Sequence, residues 1–92
     1  MVEQRVMITN RLGLHARAAA QLVRTASCFE SVLRLERIDG SAAADAKSIL
    51  SVLMLAAARG TELRATAEGA DEHEAMAAVC VLFESGFGES EQ

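Results

Sequence analysis

Among its 92 residues the chain has three Phe and neither Trp nor Tyr. Stacking platforms for single-stranded nucleic acid need aromatic faces, so that class of binder is not expected, and the core has to be built from Leu, Val, Ile and Ala. An excess of basic residues is also lacking. Nine Lys and Arg against thirteen Asp and Glu give a net charge of −4, which argues against a general binder of the phosphate backbone. Only two cysteines occur, Cys28 and Cys80, far apart and with neither metal-ligand spacing nor a disulfide framework. Buried or half-buried free thiols in a reducing compartment are therefore expected, and with only two distant histidines no metal site is expected. No charged and apolar leader pattern and no apolar run of about 18 residues is present. The expectation is a soluble cytoplasmic protein without membrane insertion.

What is present suits one domain, which at this length buries roughly 60–65% of the surface of its extended chain. The charges are unevenly placed. Between Gln4 and Phe29 the only charged residues are Arg5, Arg11, Arg17 and Arg24, whereas eight of the thirteen acids lie at or beyond Glu62. A basic end would steer an acidic partner surface toward it, although arginines are also at home on helix surfaces.

Val2, Gln4, Val6 and Ile8 alternate with Glu3, Arg5, Met7 and Thr9, the period-two pattern of a half-buried strand. From Ala16 to about Cys28, Ala19, Leu22, Val23 and Ala26 repeat as the inner stripe of a helix, with Arg17, Gln21 and Arg24 on the other side. Ser31 to Ile38 reads as a strand with Leu33 and Leu35 inward. Asp39-Gly40 signals a hairpin into a short, weak edge strand, Ser41-Ala42-Ala43-Ala44. Ser48 opens a second helix through Ala58, apolar nearly all round and stopped by Arg59-Gly60. With Ile49 and Val52 assigned inward, Leu50 and Leu53 face outward as candidates for a docking patch; a loosely enclosed helix is the alternative. Thr61 to Glu68 alternates with Leu63, Ala65 and Ala67 inward. Asp71 and Glu74 form a capping box for a third helix with a stripe of Ala75, Ala78, Val79 and Leu82, and Gly86 is its stop. His73 is expected to be solvated. Phe87 to Gln92 reads as a frayed tail, so the domain is taken as residues 1–88 and the tail as 89–92.

The order β-α-β-β-α-β-α implies an α+β two-layer open-faced sandwich, a four-stranded, mainly antiparallel sheet with three helices on one face. That layout by itself implies no function.

The most informative stretch is Asn10-Arg11-Leu12-Gly13-Leu14-His15-Ala16-Arg17-Ala18-Ala19-Ala20. It puts a histidine after a glycine turn and at the start of a helix, with an arginine in the first turn. The backbone N–H groups of Ala16, Arg17 and Ala18 have no partner within a helix and, with its dipole, form an anion site. A neutral imidazole is a nucleophile near physiological pH, and a guanidinium can engage two phosphoryl oxygens. On spacing alone, a solvated or capping histidine beside a surface arginine remains the commoner alternative.

Gly13-Leu14-His15-Ala16-Arg17, together with the separate run from Ala46-Lys47-Ser48-Ile49-Leu50 through Ala58-Arg59-Gly60, resembles the HPr family of histidine-containing phosphocarriers of the bacterial sugar phosphotransferase system. The resemblance covers nearly the whole chain. It implies that His15 accepts a phosphoryl group at Nδ1 from enzyme I, itself charged by phosphoenolpyruvate, and passes it to an enzyme IIA, with Arg17 assisting. It implies a monomeric carrier with no cofactor and no turnover of its own. Ser48 matches a serine that many family members have phosphorylated by a dedicated kinase/phosphorylase, and a transcriptional regulator is a further implied partner. The docking surface is expected to comprise Arg24, Lys47, Ile49, Leu50 and Leu53. Two departures stand out. Ala18 replaces the proline usual after the arginine, which lowers stability by about 0.4–1 kcal/mol and should leave phosphorylation possible. The segment from Ile38 to Ala44 is about two residues longer than is common, at small entropic cost and away from the site.

Two other readings compete. One is a regulatory or nitrogen-branch paralogue not devoted to sugar transport. The other is a small ligand- or RNA-binding module, which predicts aromatic or basic residues across the sheet; Glu3, Glu36, Glu62 and Glu68 speak against it.

Overall fold

The computed structural model describes residues 1–89. Its elements are β1 (Val2–Met7), α1 (Ala16–Ser27), β2 (Val32–Arg37), β3 (Ala43–Asp45), α2 (Ile49–Leu53), β4 (Glu62–Glu68) and α3 (Glu72–Glu84), with a final 3-10 turn over Gly86–Gly88. The strands run in the order β1-β4-β2-β3 and every pairing is antiparallel. This is the expected open-faced sandwich.

Period-two alternation sorts the sheet. Val6, Leu33, Leu35, Ala44, Leu63, Ala65 and Ala67 are buried under the helices. Gln4, expected beside them, is exposed, because it lines an open hollow of about 170 Å³ between the edge strand β1 and α3. On the outer face Arg64 lies between Glu3 at 3.2 Å and Glu36 at 3.4 Å, and Arg5 meets Glu62 at 3.6 Å. Each of these acids has an arginine beside it, so the open face is a lattice of exposed ion pairs, individually worth little.

In α1 the buried residues are Ala18, Ala19, Leu22 and Ala26; Val23, expected among them, is half-buried. Cys28 is exposed rather than covered, since it is the C-cap and lies outside the buried stripe. Cys80 is half-buried, and desolvation pushes its thiol up from the ordinary value. In α3 the stripe is Ala75, Met76, Val79 and Phe83, in place of the expected Ala78 and Leu82. The face is rotated because Phe83 packs edge-on against Phe87, with ring centroids 5.1 Å apart. His73 is exposed, as read.

The largest departure is α2. Read as a helix to Ala58, it ends at Leu53, with Met54 as its C-cap. The last turn tightens, with Leu55 N donating to Val52 O at 3.1 Å and Ala56 N to Leu53 O at 3.1 Å, and the chain beyond is tied to other segments: Leu55 O accepts from Arg37 Nη1 at 3.0 Å and Ala57 O accepts from Leu14 N at 2.9 Å. Ala56 turns the chain in the left-handed region, φ 51°. Residues 57–61 then bracket residues 8–14, with Ile8 N to Thr61 O at 2.9 Å and Gly60 N to Ile8 O at 2.7 Å. Arg59-Gly60 therefore belongs to this bracket and not to a helix end. Ile49, assigned inward, is 44% exposed, because five residues of helix bury only one narrow line, centred on Val52.

The expected capping box is also replaced. Asp71 is the N-cap of α3 without a side-chain capping bond. Its carboxylate instead accepts from Glu30 N at 2.9 Å, Ser31 N at 3.0 Å and Ser31 Oγ, three donors from the α1–β2 turn against the one a cap supplies. Glu72 takes over locally, accepting from Gly69 N at 3.1 Å. The Ser31 hydroxyl first, then the Glu30 amide, hold the Asp71 carboxyl below its ordinary 3.8. A carboxyl lowered by folding contributes stability that is present above about pH 4 and lost as pH falls through the folded-state value. Asp71→Asn should lower the melting temperature at pH 7, with the gap to the parent narrowing toward pH 3. A gap that stays constant across that range would count against the clamp.

The tail also differs. Helix α3 stops before Gly86, but Phe87 is buried at 2% exposure, and Gly86, Phe87 and Gly88 are successively left-handed at φ 63°, 58° and 73°. The chain thus doubles back instead of fraying, and burial of the Phe87 ring offsets its unfavourable backbone conformation. Residues 90–92, also read as tail, lie outside the described residues.

Candidate functional site

His15 is the N-cap of α1, with extended backbone at φ −76°, ψ 179°. Its carbonyl starts the helical ladder by accepting from Ala19 N at 2.8 Å. Its approach is fixed by the preceding turn: Gly13 N donates to Asn10 O at 3.2 Å, His15 N donates to Gly13 O at 2.9 Å, and Leu14 is pinned to Ala57 as described. The imidazole is therefore held at both ends of its backbone, and its side chain retains 27% of its exposure.

The two ring nitrogens have different partners. Nδ1 accepts from Arg17 N at 3.3 Å, so it faces the helix N-terminus with its lone pair. Nε2 meets Glu89 Oε2. With Nδ1 accepting, the proton sits on Nε2 and is donated to the carboxylate. Asn10, 1% exposed, steadies that carboxylate: its Nδ2 donates to Glu89 Oε2 at 3.0 Å and to Gly13 O at 2.7 Å. The His15 hydrogen bond first, and the Asn10 bond with it, hold the Glu89 carboxyl below its ordinary 4.5, against desolvation that would raise it.

A cavity of about 460 Å³ opens over the ring, lined by Arg11, Leu12, His15, Arg17 and Glu89. The structure thus brings His15 and Arg17 together as expected, with Ala16 and Ala18 at the first and third positions of the helix. Of the three amides expected free, that of Arg17 is engaged by Nδ1, and Ala18 is fully buried.

Ser48 is the N-cap of α2, its Oγ accepting from Ser51 N at 3.3 Å. Ile49, Leu50 and Leu53 are exposed at 44%, 65% and 36%, and Met54, which the sequence reading did not single out, at 72%. Leu50, Leu53 and Met54 share one helix side at i, i+3, i+4, the spacing that could have found the methionine. The loop after α2 reaches the site, since Ala56, Ala57 and Ala58 share a hollow with Leu12, Leu14 and His15. Arg24 is exposed two turns along α1 from Arg17. Lys47 is tied down, its Nζ donating to Phe29 O at 2.7 Å. Sequence reasoning missed Asn10 as a support, Arg11 in the cavity wall and Glu89 on the ring. Glu89 carried no local signal, although an apolar Phe87 in a supposed tail pointed to packing there.

Among the described residues no group of three or more His, Cys, Asp or Glu could hold a metal ion, and no helix is long and apolar enough to cross a membrane.

An open-faced α+β sandwich that presents a nucleophilic ring at a helix start, between arginines, defines a small domain equipped to handle an anionic group at its surface. The family model described as "PTS HPr component phosphorylation site" matches residues 2–85. The chain is 47% identical over 89 residues to phosphocarrier protein HPr of Xylella fastidiosa (strain 9a5c), covering 97% of this chain and 98% of that one. It is 43% identical over 88 residues to phosphocarrier protein NPr of Escherichia coli (strain K12), covering 96% and 97%. Its fold matches the crystal structure of HPr-C-His from Thermoanaerobacter tengcongensis with a TM-score of 0.92 and 42% identity, over 99% of this chain and all of that one. The chain belongs to the HPr family, the phosphocarrier proteins of the phosphotransferase system.

Proposed function

We propose that His15 accepts a phosphoryl group on Nδ1 from phospho-enzyme I and hands it to an enzyme IIA in sugar uptake. The observation that carries this is the Nδ1 lone pair at the start of a twelve-residue helix, in a cavity walled by Arg11 and Arg17. Phosphoryl transfer needs little covalent help beyond position and charge stabilisation, and half a site from each protein suffices. A phosphoryl oxygen takes over the Arg17 N–H from Nδ1, the guanidinium of Arg17 binds a second, and the amide of Ala16 completes the positive end of the helix. Arg24, Lys47, Ile49, Leu50, Leu53 and Met54 form the docking surface, apolar in the middle and basic toward α1. Incubation with phosphoenolpyruvate and enzyme I should place one acid-labile phosphoryl group on His15, read by mass spectrometry under conditions that preserve phosphohistidine. No label, or label on another residue, overturns the reading.

The similar identities to an HPr and to an NPr support a second reading, a carrier of the nitrogen branch. Offering the phosphorylated chain to enzyme IIA proteins of both branches separates the two: the faster acceptor identifies the branch.

Ser48 is proposed as a regulatory site for an ATP-dependent kinase/phosphorylase, with a transcriptional regulator reading the modified form. Phosphate there adds about two negative charges beside Ile49 and Leu50 while the helix N-terminus tolerates it. Ser48→Asp should keep the fold, because aspartate caps a helix as well as serine does. It should slow acceptance from enzyme I by about tenfold, chiefly in association. Stopped mixing at several salt concentrations reads this, and parent-like rates at low salt would refute it.

A further inference from the structure

We propose that Glu89 is a positioning residue for phosphoryl transfer: by accepting the Nε2 proton of His15 it keeps Nδ1 bare and aimed at the helix start, and it balances the charge the ring gains. This rests on His15 being the acceptor. Three features are independent of that reading. The carboxylate contacts Nε2 and not Nδ1, so it occupies the side of the ring away from the Arg17 amide. It is itself held, by buried Asn10, in the same arrangement that orients the turn through Gly13 O. And the chain is brought there by an anchored reversal, three left-handed residues around buried Phe87, which leaves the Glu89 side chain only 19% exposed.

The chemistry explains what such a partner does. In the acceptance step the Nδ1 lone pair forms the N–P bond while the donor's bond to phosphorus breaks, its electron pair staying on the donor atom. No proton leaves His15, so the ring then carries phosphorus on Nδ1, hydrogen on Nε2 and one positive charge. A partly desolvated carboxylate beside Nε2 opposes that charge as it develops. In the discharge step the pair returns to Nδ1 and the proton again stays where Glu89 holds it. Without the carboxylate only the longer contact from the Arg17 amide, at 3.3 Å, disfavours the tautomer protonated at Nδ1, which has no lone pair with which to attack.

The test uses the full chain with 15N-labelled histidine, the parent beside Glu89→Gln and Glu89→Ala, with amide spectra to check the fold. In the unphosphorylated parent at neutral pH the ring shifts should report hydrogen on Nε2 and a bare Nδ1. Glu89→Gln keeps an acceptor oxygen and should keep that tautomer; Glu89→Ala should show both tautomers. With enzyme I and phosphoenolpyruvate, the second-order rate should fall about tenfold or more in Glu89→Ala, as for loss of other imidazole-orienting partners, and less in Glu89→Gln. A parent-like tautomer in Glu89→Ala overturns the proposal whatever the transfer rate, and so does a shifted tautomer with parent-like transfer. If the parent takes up no label, it is the acceptor role of His15 that fails, and the ring shifts still decide whether Glu89 sets the tautomer.

Discussion

His15→Asn is expected to take up no phosphoryl group from phosphoenolpyruvate and enzyme I, a loss on the order of a thousandfold or more, because the amide that replaces the imidazole is not a nucleophile. Asparagine is chosen for a structural reason. His15 is the N-cap of α1 in extended conformation and accepts from the Arg17 amide, a role that asparagine fills at least as well. The helix should therefore stay intact and the loss be one of chemistry alone. Labelled phosphoenolpyruvate followed by autoradiography measures it, with circular dichroism as the control on folding. The chain's other histidine, His73, is exposed on α3, and His73→Asn should label like the parent. Retained labelling in His15→Asn would end the case for this residue as acceptor.

Gly13→Ala is expected to destabilise the fold by about 2–4 kcal/mol, a fall in melting temperature on the order of 10–30 °C. Two costs add. Gly13 has φ 69°, where any other residue is strained, and a Cβ built on it would lie 2.6 Å from Ala57 O and 2.9 Å from Ala58 Cα. Both contacts are backbone, so no side chain can swing aside. The bracket that fixes Leu14 and hence His15 has to move, and phosphoryl acceptance should fall along with stability. Gly60→Ala separates the two costs. At φ 89° it is strained, but nothing lies within 4 Å of the added carbon, so it should lose only about 1 kcal/mol. Thermal unfolding of both variants gives the comparison, and equal losses would mean that the close approach at Gly13 contributes nothing.

Most of the framework was legible because it depends on local periodicity. Leu63, Ala65 and Ala67, and likewise Leu33 and Leu35, alternate in sequence and are buried in the sheet. The inner stripe of α1 was read correctly apart from the exchange of Val23 for Ala18. The departures share one cause. The run from Ile49 to Ala58 has the propensity of a long helix, and nothing local tells it to stop at Leu53; the residues that follow are held instead by Arg37 and by residues 8–14, through bonds to Leu55 O, Ala57 O and Gly60 N. Asp71 carries the local signature of a cap, and the distant Glu30–Ser31 turn outbids the helix for its oxygens. In both cases a partner remote in sequence decided the hydrogen bonding of a segment whose local preference was clear.

The same division runs through the site. The order of residues alone singled out the histidine proposed as acceptor, the arginine two places on and the glycine that lets the turn form, since these lie within one helix start and its immediate approach; with the separate run from Ala46 to Gly60 it also carried the family resemblance. Only the tertiary structure decided what meets the other ring nitrogen, because that partner comes from the far end of the chain. Glu89 lies 74 positions from His15 along the chain. Pattern reading sees neighbours within a turn of helix or a pair of strands, whereas a proton's place on an imidazole is set by whatever the packed chain brings within hydrogen-bonding reach.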